Sequence, residues 1–518
     1  MKQKTWIISA PDVCPWLSWY ASGYCTLLKE MTENNAPSGT VAEESTDHTE
    51  PEIDFAEEEE TKEDIAETGP EEEESDVPVE REEGYYGWKQ ELPQIFPSVP
   101  EEVPYEPPRL ILATDLHYQS AQADDGGAAF QLFVERGDGK VVEYLPELLE
   151  AFMDQVIEEH PSALVLSGDI TMNGEKINHE ELARGLMRVQ DAGIPVLIVP
   201  GNHDINNPHA AVYFGEEKAE TDPVTPEEFY NIYHMYGYDQ AISRDDASLS
   251  YVYQLDERNR LLMLDTCQYE PKNMVEGQLK VETLRWADEQ LKKAKEDGMN
   301  VLPIGHHNLL AQSRMYTTQC AMNNNGDVIE LFQKYELPLY LSGHLHVQRI
   351  RKHKAEPGAA DDSYGIMEIV TDALSIPPCQ YALLEWKRDG SMEYSTKAVD
   401  VSAWAARTGS QNPDLLDFEG WSERYIQKLI IDQIRGVVKN LGNDVEHSMA
   451  EVYASVYIDY YAGRRIDAKG IRSSKGYRWW ERNMPDSYLL KELDAMIDDS
   501  DRDNNYMLLP EVNAAAEE

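Results

Sequence analysis

The chain has 518 residues, of which 45 are Lys or Arg and 97 are Asp or Glu, and its formal net charge at pH 7 is −52. Such a negative surface repels nucleic acids and anionic lipid headgroups, so neither is an expected partner. The cysteines include no C-x-x-C pair, which argues against a disulfide framework and a zinc ribbon; they are Cys14, Cys25, Cys267, Cys320 and Cys379.

Residues 1–30 contain an incomplete export pattern. Two lysines precede a short apolar stretch, which Asp12 interrupts before a signal-peptide core is complete. Ala21–Cys25 has the small residues of a lipoprotein cleavage site, although Tyr24 stands directly before the cysteine. Two interpretations remain open. A degraded signal or lipid-anchor segment, which is slightly favoured, would place the protein outside the cytoplasm or on the cell surface. The alternative is an unstructured N-terminus of a cytoplasmic protein.

Residues 31–107 are predicted to form an acidic, disordered linker. Within them, residues 43–83 hold 21 Asp or Glu against Lys62 and Arg81. Like charges repel and extend such a segment, which also has little apolar area to bury. The linker is either a stalk that spaces the folded region from a surface or a solvated tail without a specific role.

The folded region is predicted to span residues 108–400. Short apolar runs predict strands, and apolar residues at helical spacing predict helices. In chain order these are a strand at 110–114, a helix at 144–159, a strand at 163–167, a helix at 179–191, strands at 195–199, 251–255 and 261–265, a helix at 275–296, a strand at 301–304, a helix at 327–335, and strands at 339–341, 365–371, 381–386 and 392–397. Early strands alternate with helices and late strands follow each other directly. The pattern therefore predicts a layered α/β domain, with two mixed sheets packed together between helices.

Two segments add to this alternation. Residues 401–518 are predicted to be a helical extension with helices near 426–437, 445–461 and 487–498, followed by a frayed acidic end. Residues 209–250 form a Tyr-rich insert between strands. The insert is either a lid beside a substrate, since binding residues concentrate on loops carried by a rigid scaffold, or a surface elaboration.

Five short polar motifs stand where apolar strands end. They are Asp115-Leu116-His117, Gly168-Asp169, Gly201-Asn202-His203-Asp204, Gly305-His306-His307 and Gly343-His344-Leu345-His346. A core strand has no reason to end in Asp or His five times over, whereas a metal centre built at the ends of adjacent strands needs these ligands. In extended chain the side chains of Asp115 and His117 point to the same side, where they can bind one cation. A carboxylate such as Asp169 can bridge two cations.

The remaining polar residues of these motifs have distinct chemical uses. Asn202 offers a neutral carbonyl ligand, His203 can donate a proton or a hydrogen bond, and Asp204 can orient it. His306 and His307 compete for one ligand position. His307 points away if the chain is extended there, which favours His306.

The five motifs in this order resemble those of the calcineurin-like metallophosphoesterase superfamily, most specifically at Gly201–Asp204 and Gly343–His346. The resemblance covers about residues 109–350 and implies a β-sandwich flanked by helices, with two metal ions at the strand ends. It further implies a ligand set, with His203 beside the phosphate and supported by Asp204. By this resemblance one metal would be held by Asp115, His117 and His346, the other by Asn202, His306 and His344, and Asp169 would bridge the two.

Such a site predicts a metal-dependent phosphoester hydrolase. Two cations about 3.5–4 Å apart lower the pKa of a bridging water, so that a hydroxide attacks phosphorus while His203 stabilises the developing charge or protonates the leaving alkoxide. Mixed oxygen and nitrogen ligands suit Mn, Fe, Zn or Ni without choosing among them. The resemblance favours a small-molecule phosphodiester as the substrate. A phosphomonoesterase or nucleotidase and a non-catalytic, surface-displayed metal-binding module are the alternatives.

Overall fold

The computed structural model describes residues 105–316, 318–353 and 365–509. The predictions for the N-terminal segment and nearly all of the acidic linker lie outside these residues. The strands are β1 (Arg109–Ala113), β2 (Ala163–Ser167), β3 (Val196–Val199), β4 (Ala211–Phe214), β5 (Glu217–Glu220), β6 (Ser243–Arg244), β7 (Tyr251–Gln254), β8 (Asn259–Met263), β9 (Asn300–Ile304), β10 (Leu339–Ser342), β11 (Arg349–Lys352), β12 (Met367–Val370), β13 (Gln380–Trp386), β14 (Met392–Ala398) and β15 (Tyr506–Leu509).

The helices fall into a group between the strands and a group after β14. They are α1 (Ala128–Glu135), α2 (Leu145–Glu159), α3 (Lys176–Asp191), α4 (Pro226–Tyr233), α5 (Val281–Glu296), α6 (Asn325–Lys334), α7 (Val401–Thr408), α8 (Pro413–Leu416), α9 (Phe418–Val437), α10 (Asn443–Tyr461), α11 (Ala468–Ser473), α12 (Lys475–Asn483) and α13 (Tyr488–Asp499). Within the described part of the chain, no helix is both long and apolar enough to cross a membrane.

Two mixed sheets contain most of the strands. The first has the order β15-β14-β13-β1-β2-β3, the second has the order β11-β12-β10-β9-β8-β7-β6, and β4 and β5 form a separate hairpin. In the first sheet β1, β2 and β3 are parallel, and β13, β14 and β15 continue it in antiparallel pairs. In the second sheet β8, β9, β10 and β12 are parallel. The carboxyl ends of the parallel strands therefore gather at one edge of each sheet.

The two sheets pack against each other, and helices cover their outer faces. Leu261 and Met263 of β8 share a hydrophobic core with β1, β2 and β3, whereas Leu262 and Leu264 share a second core with α5 and α6. The side chains of a strand alternate between faces, so this division places the first sheet on one side of β8 and the helices on the other. All residues of β2 are buried, as expected for a strand covered on both faces. The predicted layered α/β fold is confirmed.

One predicted helix is too long at its start. The helical pattern at 275–296 yields a helix only from Val281. The preceding residues instead contact the histidine motif after β9, because the Val275 carbonyl oxygen lies 3.0 Å from Nε2 of His307. A Cβ on Gly277 would lie 2.4 Å from the His307 ring, so the chain passes that ring closely. Tertiary contacts with His307 therefore override the local helical pattern.

The C-terminal prediction of a frayed end is wrong at Tyr506–Leu509. These residues form β15, which pairs antiparallel with β14 over four residues. The pairing gives hydrogen-bond partners to backbone N–H and C=O groups of β14, which would otherwise be unpaired at the edge of the first sheet. The chain thus returns to the first sheet after its C-terminal helices.

The Tyr-rich insert contributes to the protein core. It folds into the β4–β5 hairpin, α4, a π-type turn at His234–Tyr238 and β6, which pairs with β7. A capping box begins α4, because the Thr225 and Glu228 side chains each accept a hydrogen bond from the other residue's backbone N–H. Tyr233, Tyr236 and Tyr238 are buried in the main core. The insert is therefore more than a surface elaboration.

The C-terminal helices share a core with the strand ends of the second sheet. Ile430, Tyr453 and Trp480 are buried in one cluster with Leu345 and Val347, which flank the last histidine of the motif after β10. A salt bridge of 2.8 Å also joins Asp499 of α13 to Arg351 of β11. The C-terminal helices are therefore packed against the part of the molecule that carries the predicted metal ligands.

Candidate metal centre

The structure brings the five motifs together at the meeting edges of the two sheets. The Asp115, Asp169 and Asn202 motifs follow the parallel strands β1, β2 and β3, and the His306 and His344 motifs follow β9 and β10. Two clusters of side chains with metal-ligand character result. One contains Asp115, His117, Asp169 and His346, and the other contains His306, His307 and His344.

Asp115, His117 and His346 converge through their terminal atoms. Nε2 of His346 lies 3.2 Å from Oδ1 of Asp115 and 3.0 Å from Nε2 of His117. The other carboxylate oxygen, Oδ2 of Asp115, accepts hydrogen bonds from the Thr114 hydroxyl and the His344 backbone N–H. Oδ2 of Asp115 is thus bonded to two of the motif loops, whereas Oδ1 faces the two imidazoles.

Asp169 lies between this group and the second one. Its Oδ2 is 3.2 Å from Nε2 of His306, and its Oδ1 accepts a hydrogen bond of 2.7 Å from the His203 backbone N–H. Oδ1 of Asn202 lies 3.3 Å from the same Nε2 of His306. Nε2 of His344 is 2.9 Å from the Gln319 carbonyl oxygen, so its Nδ1 is the nitrogen available for a metal.

The ring contacts distinguish His306 from His307. Both ring nitrogens of His307 are engaged, Nδ1 with the Thr266 hydroxyl at 2.8 Å and Nε2 with the Val275 carbonyl oxygen at 3.0 Å. Nδ1 of His306 contacts the Ser167 carbonyl oxygen at 2.9 Å. This contact turns Nε2 of His306 toward Asp169 and Asn202. A metal-ligating histidine commonly donates its second ring N–H to such a carbonyl. The contacts therefore favour His306 as the ligand.

The backbone at these motifs is left-handed, whereas the sequence pattern predicts extended chain there. The φ angles are 52° at Asp115, 44° at His117, 47° at Asp169, 68° at His344 and 56° at His346. Non-glycine residues adopt this region rarely, and such strain concentrates at functional sites. Asp115 and His117 share one side because of this turn, and not because of strand alternation.

Close approach of the motif loops requires glycine at two positions. A Cβ on Gly343 would lie 2.0 Å from Oγ1 of Thr114, and a Cβ on Gly168 would lie 2.6 Å from the His306 ring. Neither loop could come this near the neighbouring strand end with a side chain at these positions. The glycines therefore set the spacing of the cluster.

His203 is held by groups that no sequence motif marks. Its Nδ1 lies 2.8 Å from the Met172 carbonyl oxygen and 3.1 Å from Oδ1 of Asn173. The Asp204 carboxylate accepts hydrogen bonds from the backbone N–H groups of Ile170, Thr171 and Gly201. Asp204 therefore ties the β2 and β3 loops together. No sequence pattern marked Asn173, because it lies outside the motif.

Burial and the neighbouring imidazoles set the charges of the cluster. Burial raises the pKa of the Asp169 carboxyl, but His306 and His203 outweigh it and hold the pKa well below its usual value. Burial keeps the pKa of His117 well below its usual value, so this imidazole is neutral at pH 7. Burial and the nearby Asp169 charge raise the pKa of Asp204 to about 7. The ionised carboxylate and the neutral His117 imidazole are states that bind metal ions. Burial lowers the pKa of His306, but Asp169 outweighs it and raises the pKa to about 9, so a metal ion at His306 must displace its proton.

The donor set fits two cations. Oδ1 of Asp115 is buried and has no hydrogen-bond partner among the described residues. A buried carboxylate oxygen without a donor is costly unless a cation faces it. Nε2 of His117 and Nε2 of His346 lie 3.0 Å apart, close enough for one cation to contact both nitrogens. Carboxylate, amide and imidazole groups together suit Mn, Fe, Zn or Ni.

A cavity of about 520 Å³ lies beside the cluster. It is of the size expected for a small-molecule site. Its walls include the metal cluster, α1 with the loop after it, the β4–β5 hairpin and α10, together with Val275, Tyr316 and Gln319 of neighbouring loops. The lining includes Asp169, Asn202, His203, His344, His346, Leu132, Phe133, Arg136, Asp138, Lys140, Tyr213, Lys218, Tyr457 and Tyr461. The insert and the C-terminal helices therefore both reach the cavity.

Two family matches divide the chain. The family described as calcineurin-like phosphoesterase matches residues 108–348, which include all five motifs. The family described as the C-terminal domain of cyclic nucleotide phosphodiesterase matches residues 400–503, which include α7 to α13. The comparison with curated proteins found no relative of the chain.

Solved structures with a similar fold include two phosphatases. A dimetal phosphatase from Danio rerio is 16% identical with a TM-score of 0.43, and the match covers 57% of this chain and 97% of that one. A purple acid phosphatase from yellow lupin (Lupinus luteus) seeds is 13% identical with a TM-score of 0.38, and the match covers 57% of this chain and 52% of that one. Both likenesses are distant.

Proposed function

Because the chain belongs to the calcineurin-like phosphoesterases through residues 108–348, we propose that it is a phosphodiesterase with a dinuclear metal centre. A metal-dependent phosphoester hydrolase is the activity common to that family. The observation that carries the proposal is the convergence of Asp115, His117, Asp169 and His346 with His306 and His344 beside a cavity.

The proposal assigns a role to each polar side chain. Asp115, His117 and His346 would hold one metal, Asn202, His306 and His344 the other, and Asp169 would contact both. When bound, the two ions would activate a water and neutralise phosphate oxygens.

The proton chemistry falls to His203. It lines the cavity, and Nδ1 contacts the Met172 carbonyl oxygen and Asn173, which orients Nε2 toward the cluster, 4.0 Å from Oδ2 of Asp169. From there it can stabilise a phosphate oxygen or donate a proton to the leaving alkoxide. Asp204 would act indirectly, because its bonds to the backbone of Ile170, Thr171 and Gly201 fix the turn that carries His203.

Three observations support a diester over a monoester. The C-terminal helices match the C-terminal domain of cyclic nucleotide phosphodiesterase. A diester carries one negative charge near pH 7, whereas a phosphate monoester carries about 1.5 to 2. Lys140, one of the cations in the cavity wall, is neutralised by Asp138 at 2.5 Å. The aromatic side chains of Phe133, Tyr213 and Tyr457 offer an apolar surface for the second ester substituent.

The alternative, a phosphomonoesterase or nucleotidase, is favoured by one feature of the same cavity. Arg136 and Lys218 also line it. Two further cations would suit the dianion of a monoester and would bind it in addition to the metal ions.

The test measures metal content together with hydrolysis of bis-p-nitrophenyl phosphate and p-nitrophenyl phosphate in the presence of Mn²⁺. We expect close to two metal ions per chain and faster turnover of the diester. Turnover of the monoester alone would favour the alternative, and absence of bound metal would overturn both.

Asp169→Asn is the matched variant, because it removes one carboxylate charge at the centre of the cluster. A variant that retained two metals and full turnover would show that the site is assigned wrongly.

A further inference from the structure

We propose that the C-terminal helices are part of the metal centre, because they fix the loop at 137–141, from which Asp138 positions the metal ligand His346. The inference rests on the proposed function, since it requires a metal ion at His346. Nothing in the five motifs points to Asp138, which lies between α1 and α2 and outside every motif.

The first observation is the contact between Asp138 and His346. Oδ2 of Asp138 lies 3.5 Å from Nδ1 of His346, and the opposite ring nitrogen, Nε2, lies 3.2 Å from Oδ1 of Asp115. The imidazole is thus placed between a carboxylate that faces the cluster and a carboxylate behind it. A carboxylate behind a ligating histidine fixes the ring orientation and makes the ring a stronger ligand. Lys140, at 2.5 Å from Oδ2 of Asp138, holds that carboxylate in place.

The second observation is that the loop at 137–141 is bound to the C-terminal helices through its backbone. Gln433 and Tyr425 of α9 donate to the carbonyl oxygens of Gly137 at 3.2 Å and Lys140 at 3.1 Å. The Tyr457 hydroxyl of α10 is 3.5 Å from the Asp138 carbonyl oxygen. These contacts hold the backbone on both sides of the Asp138 side chain.

The packing at Gly139 shows how closely the loop approaches α9. Gly139 has a φ of 106°, and a Cβ at this position would lie 2.2 Å from Cδ1 of Ile426. The loop lies directly on the helix, without room for a side chain between them. At its far end, the Val141 N–H donates to the Ser375 carbonyl oxygen, and the Ser375 hydroxyl donates to the Asp115 carbonyl oxygen. The loop is therefore connected to the ligand Asp115 as well.

The third observation is that the same helices contact the chain on both sides of His346. Leu345 and Val347 are buried with residues of α9 and α10. The Gln348 N–H donates a hydrogen bond of 2.9 Å to the carbonyl oxygen of Tyr461 in α10. The histidine ring is thus positioned by Asp138 and its backbone by the helix core.

The arrangement is asymmetric between the two metal positions. His306 and His344 are oriented by the carbonyl oxygens of Ser167 and Gln319, which lie outside the loop at 137–141. Disturbing Asp138 or its loop should therefore weaken the metal held by Asp115, His117 and His346 more than the other metal.

The experiment titrates the metal-free, full-length protein with Mn²⁺ and measures binding at the two sites by calorimetry. We expect Asp138→Asn to weaken one of the two sites by about 10- to 100-fold and to leave the other unchanged. The control variant is Asp389→Asn, which removes the same charge from an exposed carboxylate in the turn between β13 and β14. Its carboxylate bonds to Ser391 and is remote from the loop in sequence.

A second variant tests the helices without touching the carboxylate. Tyr425→Phe combined with Gln433→Leu removes both hydrogen bonds from α9 to the loop, and we expect a smaller loss at the same metal site. Unchanged binding at both sites in Asp138→Asn would overturn the inference. Binding of fewer than two ions by the unaltered protein would instead overturn the proposed function. Thermal unfolding of the metal-free forms checks that each variant is folded.

Discussion

Within the cluster, His203 occupies a position different from that of the metal ligands. Its backbone N–H binds Asp169, and its Nδ1 is held by the Met172 carbonyl oxygen and Asn173. These contacts direct Nε2 toward the cluster, where it lies 4.0 Å from Oδ2 of Asp169. Because Nδ1 faces a carbonyl oxygen, Nε2 can donate a proton only from the charged imidazole, a role distinct from that of the proposed metal ligands.

Replacing His203 with alanine should separate these two roles. We expect His203→Ala to keep both metals and to lower kcat by about 100-fold or more, because it removes a positioned proton donor. Metal content and kcat are measured on the same preparation. The control is His234→Ala, since His234 is half exposed and pairs with Asp239 on the insert. A variant at position 203 with wild-type kcat would show that its assigned role is wrong.

Among the elements, β15 connects the C-terminal helices to the first sheet. Its pairing with β14 places Leu509 in the main core at 5% exposure, whereas the adjacent Leu508 is 53% exposed. Strand alternation explains this difference between neighbours of the same residue type. The pair therefore offers a matched test of whether β15 is formed.

Truncating the inward leucine should destabilise the protein, and truncating the outward one should not. We expect Leu509→Ala to lower the free energy of unfolding by about 2–5 kcal/mol, the usual cost for a buried leucine, and Leu508→Ala to change it by less than about 0.5 kcal/mol. Denaturant unfolding measures both. Equal, small effects would mean that the C-terminal segment is frayed, as the sequence pattern suggested.

The packing of α10 against α13 includes a buried carboxyl group. Glu492 is 4% exposed, and its carboxylate accepts a hydrogen bond of 3.0 Å from the Tyr453 hydroxyl. Burial raises its pKa from 4.5 to about 7, and the hydrogen bond from Tyr453 opposes this only partly. The folded state therefore holds this proton in a pH range where the unfolded state has lost it.

This difference makes the stability of the helices depend on pH. Between pH 4.5 and about 7 the unfolded chain binds fewer protons at Glu492 than the folded chain, so stability falls as pH rises. Glu492→Gln removes the titration but still accepts from Tyr453. From pH 5 to pH 8 we expect the variant to gain about 1–3 kcal/mol relative to the wild type, measured by denaturant unfolding at each pH. A difference between the two proteins that does not vary with pH would contradict the raised pKa.

For the molecule as a whole, the sequence predicted the sheets and the motif residues better than the connections between distant parts. Strands and ligand types leave local patterns, because a core strand is apolar and a metal ligand has a distinctive side chain. The left-handed turns at Asp115 and His117 leave no such pattern, and neither does the contact of Asp138 with His346. Those features depend on which loops meet in the folded chain: the N–H groups of Asp115 and His117 donate to carbonyl oxygens of the loop after β2, and the Asp138 loop is bonded to α9. The extension therefore looked like an appendage in the sequence, although its residues reach the cavity.

This packing has a consequence for how the molecule unfolds. Leu345 and Val347 flank the proposed metal ligand His346 and belong to the core of α9 and α10, so the proposed metal centre and the C-terminal helices share buried surface. The region should unfold in one step. Because a metal ion binds the folded state and not the unfolded one, each ion at 100 times its Kd adds about 2.7 kcal/mol of stability.

Metal removal should therefore lower the unfolding temperature of the C-terminal helices as well as that of the sheets. Scanning calorimetry of the metal-loaded and chelator-treated protein measures this, with the metal restored to the treated protein as the control. We expect a single transition for residues 108–509 that moves to lower temperature when the metal is removed and returns when it is added back. Two transitions, with the second unaffected by metal, would mean that the helices fold as a separate unit. The loop at 137–141 could not then couple them to His346.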